Sequence, residues 1–161
     1  MQKQILLLVF FIIPLITFSQ KKISIGESSG LISISKENGL NQNISLGYNT
    51  SKNIIVGVDA MIGKINNGNY SAQTTSFLAY IEGSAQDKGT IKNKLFFSGI
   101  LGLGYLDKKN DLFNQNAICA FGGSKLNYKP NENIIFGIKS GYYISKLENV
   151  IIANLFITYH L

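Results

Sequence analysis

The chain contains no arginine: all 15 basic residues are lysine, set against nine acidic ones, for a formal net charge of +6. Bidentate contacts to bases and phosphates favour the arginine fork, so a nucleic-acid partner is not expected. Cysteine occurs once, at Cys119, which excludes an internal disulfide; its expected role is that of a small wall or core residue. Histidine also occurs once, at His160. That excludes multi-histidine metal sites and leaves one candidate general base, one residue from the C-terminus. Strong helical periodicity is missing. Beyond the N-terminus no stretch approaches the roughly 18 consecutive apolar residues of a spanning helix.

The N-terminus is the exception. Lys3 precedes a nearly unbroken apolar run from Ile5 to Phe18, and Thr17-Phe18-Ser19 places small residues where a signal peptidase reads. Residues 1–19 are therefore expected to be a cleaved secretory signal peptide, with cleavage between Ser19 and Gln20, and residues 20–161 a single domain. No cysteine stands at the cleavage site, so the leader is not of the lipoprotein kind.

The chain then writes one stretch twice. Leu46-Gly47-Tyr48 leads through a polar turn into Asn53-Ile54-Ile55-Val56-Gly57, and Leu126-Asn127-Tyr128 leads into Asn133-Ile134-Ile135-Phe136-Gly137 at one constant offset. Each copy is a tight hairpin between β-patterned runs. Around them the alternation predicts eight strands: Lys22–Lys36, Asn43–Asn49, Ile54–Gly63, Ser76–Ser84, Lys94–Leu106, Asn116–Tyr128, Asn133–Tyr143 and Val150–Leu161. Apolar residues change phase in the first strand, from Ile23 and Ile25 to Ile32 and Ile34. That predicts a bulge at Ser28-Ser29-Gly30, and Gly122-Gly123 marks a second. Loops are expected at Glu37–Leu40, Asn66–Asn69, Gln86–Asn93, Asp107–Asn114 and Ser145–Asn149.

One face of these strands carries Gly57, Asp59, Gly63, Glu82, Ser98, Gly102, Gly104, Gly137, Lys139 and Gly141. The other carries Ile, Val, Leu, Phe and Ala. Glycine and charge make a poor exterior for a soluble sheet but suit a narrow lumen, while the apolar faces suit lipid. The fold class that follows is all-β, an eight-stranded antiparallel up-and-down transmembrane β-barrel. Tyr48 and Tyr128, just before the end turns, fit an interfacial aromatic girdle. The alternative is a soluble secreted or periplasmic β-barrel that binds a small apolar ligand in an apolar interior.

Gly47-Tyr48 before a short turn, Asn53-Ile54 after it, Gly99-Ile100-Leu101-Gly102-Leu103-Gly104-Tyr105, and the echo from Asn127-Tyr128 to Gly137 together resemble the small outer-membrane β-barrel proteins of Gram-negative bacteria, the group with an OmpX-like or OmpA-like barrel. The resemblance implies an outer-membrane location and a structural or surface-interaction role without catalysis or a cofactor. Its implied partners are outer-membrane lipid and, during biogenesis, the barrel-assembly machinery. It also implies a C-terminal assembly signal on Asn154, Phe156, Tyr159 and Leu161. Phe156 stands where the family pattern has glycine, and Leu161 where it has phenylalanine. A lipid-modifying enzyme of this architecture needs a serine–histidine pair near the outer leaflet, and His160 falls at the opposite end. Asp107, Asn110 and Asp111 lack the spacing of a calcium loop.

The repeat makes Asp59 and Lys139 equivalent positions. Both fall on the lumen face, on the third and seventh strands, which stand opposite one another in a ring of eight. A cross-lumen ion pair between them is expected, with Glu82 on the neighbouring fourth strand able to join it.

Overall fold

A computed structural model describes residues 23–34, 37–51, 53–67, 70–85, 94–110 and 114–161. The Ser19–Gln20 cleavage position and the Gln86–Asn93 connection lie outside the described residues. Eight strands follow in order: β1 Ile23–Ile34, β2 Glu37–Ser51, β3 Ile54–Asn67, β4 Tyr70–Ala85, β5 Leu95–Asn110, β6 Asn114–Tyr128, β7 Ile134–Ser145 and β8 Val150–His160. Each pairs antiparallel with its sequence neighbours, and β8 pairs with β1, closing the sheet into a barrel with no free edge. A walk from Ile23 through successive paired residues returns to β1 at Ser33 rather than at Ile23. That stagger requires strands tilted to the barrel axis.

Neither expected bulge forms. β1 pairs residue for residue with β2 and β8 through Ser28-Ser29-Gly30, and β6 does the same through Gly122-Gly123. The one register shift among the described pairings falls between Asn49 and Ser51, beside the β2–β3 turn. β1 keeps one phase throughout, with Ser24, Ser28, Ile32 and Ile34 turned inward. The apolar residues switch sides because the lumen changes character along its length. Ile32 and Ile34 belong to an inward cluster with Met61, Ile65, Leu106 and Tyr143, whereas Ile25 faces outward lower on the same strand. Gly123, unlike Gly122, answers a packing need. A Cβ on Gly123 would stand 2.8 Å from the Phe121 ring, and one on Gly141 2.2 Å from it. The ring lies across both positions and meets Tyr143 at 4.6 Å between centroids.

Strands also run further than expected at the end away from the termini. Glu37–Leu40 is strand, paired with Leu31–Ile34. Asn66 and Asn67 belong to β3, and Asp107–Asn110 to β5. The connections on this side shrink accordingly, and the last is the short segment 146–149. This side is called the loop end below. The opposite side, with Ile23 and Leu161, is the terminal end.

Outward positions form an apolar belt. Leu101 is 72% exposed and Ile118 76%. Tyr48, Tyr128, Phe136 and Tyr159 lie on the outer face near the terminal end; Tyr128 and Phe136 pack edge-on at 5.1 Å. The described residues include no helix long and apolar enough to cross a membrane. A closed barrel needs none, because every strand finds its backbone partners in its neighbours.

Candidate functional site: the charged lumen

Alternation on β3 and β7 turns Asp59 and Lys139 inward from opposite walls. They are 4% and 5% exposed, and Lys139 Nζ donates to Asp59 Oδ2 at 2.8 Å. The other carboxylate oxygen, Oδ1, accepts from Asn43 Nδ2 at 3.1 Å. Lys139 also lies over the Phe121 ring, 5.5 Å from its centroid, within reach of a cation–π attraction. Asp59 is thus held by a cation and an amide together. This is the arrangement a buried carboxylate needs, since desolvation is offset only when its lone pairs are filled.

Glu82 is inward and buried on β4. Its partner, however, is Lys125 of β6, whose Nζ donates to Glu82 Oε2 at 2.6 Å. Lys125 stands over the Phe156 ring at 5.0 Å. The lumen therefore holds two separate cross-wall pairs, β3–β7 and β4–β6. The four charges cancel.

An amide network sits beside the first pair. Asn41 and Asn154 exchange side-chain hydrogen bonds: Asn154 Nδ2 donates to Asn41 Oδ1 at 2.7 Å, and Asn41 Nδ2 to Asn154 Oδ1 at 3.0 Å. Asn154 Nδ2 is also 3.2 Å from Asn43 Oδ1 and from Ser28 Oγ. Through Asn43 the network reaches Asp59, so β1, β2, β8, β3 and β7 are joined across the interior. Nearer the terminal end, Asn127 Nδ2 donates to Ser98 Oγ at 2.8 Å and to the Phe96 carbonyl at 3.2 Å.

The assembly-signal residues divide between the two faces. Asn154 is the hub of the amide network, and Phe156 lies inside under Lys125. Tyr159 and Leu161 are exposed on the outer surface. His160 sits at the terminal end with Nδ1 3.5 Å from the Asn49 amide nitrogen, and Nε2 has no partner among the described residues. Cys119 is a free thiol buried in the loop-side core. No group of three or more His, Cys, Asp or Glu side chains that would hold a metal occurs among the described residues. Asp107 lies on β5, and Asp111 falls outside the described residues.

Two interior cavities flank the charges. One is lined by Asp59, Tyr80, Phe121, Lys125, Lys139 and Phe156, among others, and the second by Glu82, Lys125, Asn127 and His160. Each holds about 20 Å³ of space, which is room for about one water.

The residues missed from sequence are Lys125, Asn41 and Asn43. The bulge placed at Gly122-Gly123 broke the phase count from Phe121 onward, and without it positions 119, 121, 123, 125 and 127 all point inward. Asn41 was hidden because the preceding four residues looked like a loop.

No protein-family model matches the chain, and no curated protein does. Solved structures do match in fold. Neisserial surface protein A superposes with a TM-score of 0.73 at 13% identity, covering 88% of this chain and 98% of that one. The N-terminal β-barrel domain of Pseudomonas aeruginosa OprF gives 0.60 at 15% identity, covering 86% and 97%. The outer membrane enzyme PagL gives 0.55 at 12% identity, covering 86% and 99%. With strand count, closure, apolar exterior and polar interior all in agreement, the chain has the fold of the small eight-stranded transmembrane barrels of bacterial outer membranes.

Proposed function

We propose that this is an integral outer-membrane protein with a structural or surface-interaction role, its barrel sealed and non-catalytic. One observation carries the reading: polarity is inverted relative to a soluble barrel, with an apolar belt outside and paired charges within. An eight-stranded barrel leaves room for packed side chains rather than a wide aqueous pore, and the two small cavities fit that expectation. A soluble barrel with an apolar ligand cavity would need the opposite arrangement, whereas here the inward apolar residues on the loop side pack against one another as a core.

The fold alone does not exclude catalysis, since the outer membrane enzyme PagL shares it. The absence of catalysis is supported by His160. It stands at the terminal end, and its hydrogen-bond neighbour is an asparagine amide rather than a serine or a carboxylate. The partners that fit are bilayer lipid around the belt and the barrel-assembly machinery at the last strand, where Tyr159 and Leu161 are presented outward.

Fractionation and gel migration test the reading. The mature protein is expected in the detergent-extracted outer membrane, and the unheated sample should migrate differently from the boiled one. Recovery in the soluble periplasm without detergent would overturn it. The assembly partner has its own test. Tyr159→Ser with Leu161→Ser should lower insertion while secretion continues, and normal outer-membrane levels of that double variant would reject a recognition role.

A further inference from the structure

The outer surface ends differently on two sides of the loop end. β7 and β8 keep outward apolar residues close to their loop-end tips, at Ile144 and Ile151. β3, β4 and β5 do not. Their last large apolar residues facing outward are Ile62 on β3 and the directly opposed Phe77 and Tyr105 on β4 and β5, an aromatic pair of the kind that marks a membrane interface. Beyond them the register sets Lys64 of β3 opposite Gln73 of β4, and Gln73 opposite Lys109 of β5. All three are exposed, and none makes a side-chain hydrogen bond or ion pair with another described residue.

Two lysines thus flank one glutamine, two strand spacings or about 10 Å apart. They do not stand level. Rows of paired residues climb toward the loop end from β1 to β8, as the return from Ile23 to Ser33 requires. With strands tilted about 40°, Lys109 stands about 6 Å farther out than Lys64. Lys64 is at the belt margin, next to Ile62, and Lys109 is above it. Asp107 is the acid of this face. It points outward one step below Lys109, opposite Thr75 and Asn116, with carboxylate Oδ1 buried. It forms no ion pair with either lysine, so the face keeps its positive charge.

We propose that this β3–β5 face binds the phosphorylated sugar headgroup of a glycolipid in the outer leaflet, with Lys64 and Lys109 on its phosphates and Gln73 on a sugar hydroxyl between them. Three features select that occupant. The ammonium groups are point charges suited to phosphate. Their spread in depth suits a headgroup that stacks several polar groups along the membrane normal. The glutamine amide offers an acceptor as well as donors, and a phosphate ester, which only accepts, would leave that acceptor idle where a hydroxyl would fill it. The proposal rests on the membrane reading above, with the loop end in the outer leaflet, but the two fail separately. Absence of heat-modifiable migration refutes the membrane reading, whereas a heat-modifiable barrel indifferent to the glycolipid's phosphates refutes only the site.

The test titrates the protein in detergent micelles with diphosphoryl lipid A, with dephosphorylated lipid A and with phosphatidylglycerol, and counts bound lipid by native mass spectrometry. The natural sequence should bind the diphosphoryl form most tightly. Lys64→Gln and Lys109→Gln should each weaken that binding about fivefold, and the two together about 25-fold, as expected for lysines at an anionic surface. With dephosphorylated lipid A, natural and variant proteins should bind alike. Lys146→Gln, exposed on the β7–β8 connection at the same end, should leave binding unchanged. Heat-modifiable migration confirms that each variant is folded. Equal affinity for phosphatidylglycerol, a double variant that binds as the natural protein does, or a loss on Lys146→Gln as large as on Lys64→Gln would each overturn the proposal.

Discussion

The two halves of the lumen are filled by opposite means. On the loop side, Ile32, Met61, Leu106, Tyr143, Val150 and Ile152 pack as an ordinary apolar core. From mid-barrel toward the terminal end, the space is taken by Asp59, Lys139, Glu82, Lys125 and amides. An apolar filling is held by shape and tolerates small changes of volume. A polar filling is held pairwise, and each member depends on a named partner. The second kind ties distant strands together, because a lysine reaches across where a valine cannot. The first kind explains the change of phase along the β1 sequence: its inward residues turn from Ser24 and Ser28 to Ile32 and Ile34 as the lumen becomes apolar.

The sharpest way to break this comparison is to remove one charge from the polar half. Lys139→Met leaves Asp59 buried with only the Asn43 amide, and destabilisation of about 3–5 kcal/mol is expected. Asp59→Asn should cost a similar amount. Combined, the two should cost clearly less than their sum, because the double variant strands no charge. Unfolding in detergent followed by gel migration reads all four corners of the cycle. Additive effects would mean that the 2.8 Å contact carries no coupling.

Next in size is the amide hub. Asn154 bonds to Asn41, Asn43 and Ser28. Asn154→Ala leaves these groups short of a partner, at about 1–3 kcal/mol. The same variant separates two roles for the residue. If the loss is confined to stability of the assembled barrel, Asn154 acts through the lumen. If insertion fails while the assembled fraction is as stable as the natural protein, it acts as an assembly signal.

How much of this was legible beforehand follows from where a strand lies. Within the belt the outer face must be apolar, so β3 and β7 alternate strictly and their inward residues, including Asp59 and Lys139, could be named from sequence. Beyond the belt that constraint lapses. Asn38, Asn66, Gln73 and Lys109 are outward and exposed near the loop end, and strands without an apolar stripe look like loops. The extensions of β2, β3, β4 and β5 were lost for that reason. The second ion pair was lost for another. Glycine in a strand signals either a bulge or a close neighbour, and at Gly123 the close neighbour is the Phe121 ring, two residues back on the same face.

In the apolar half a smaller effect is expected. Ile32→Val removes one methylene from a fully buried position and should cost about 0.5–1.5 kcal/mol. The cost should not depend on whether Asp59 and Lys139 are present, because the side chain shares no hydrogen bond with them. Measured in the Asp59→Asn, Lys139→Met background, an unchanged penalty sharpens the division of the lumen. A penalty that disappears would show that the two halves pack as one unit.

The smallest effect is expected for a charge pair at the loop-side rim of the apolar half. Lys108 Nζ and Glu148 Oε1 are 2.6 Å apart at the loop end, with side chains 10% and 20% exposed. By distance alone this contact equals the Lys125–Glu82 pair, so a count of salt bridges would rank them together. Their surroundings differ. Lys125 and Glu82 are walled in by Phe156 and the barrel interior, whereas Glu148 stands on the connection between β7 and β8 at the barrel rim. Lys108 itself is buried, and only the Glu148 side of the pair approaches water, so solvent makes good part of a lost partner and the pair is expected to contribute about 1 kcal/mol. Lys108→Gln should therefore change stability by no more than that, and the change should shrink further as salt is raised from low to about 1 M, where screening acts within a few ångströms. Lys125→Gln should show a larger and nearly salt-independent loss. If Lys108→Gln proves the more damaging of the two, the rim pair is shielded by the short β7–β8 connection, and the line between polar interior and open end moves outward to include it.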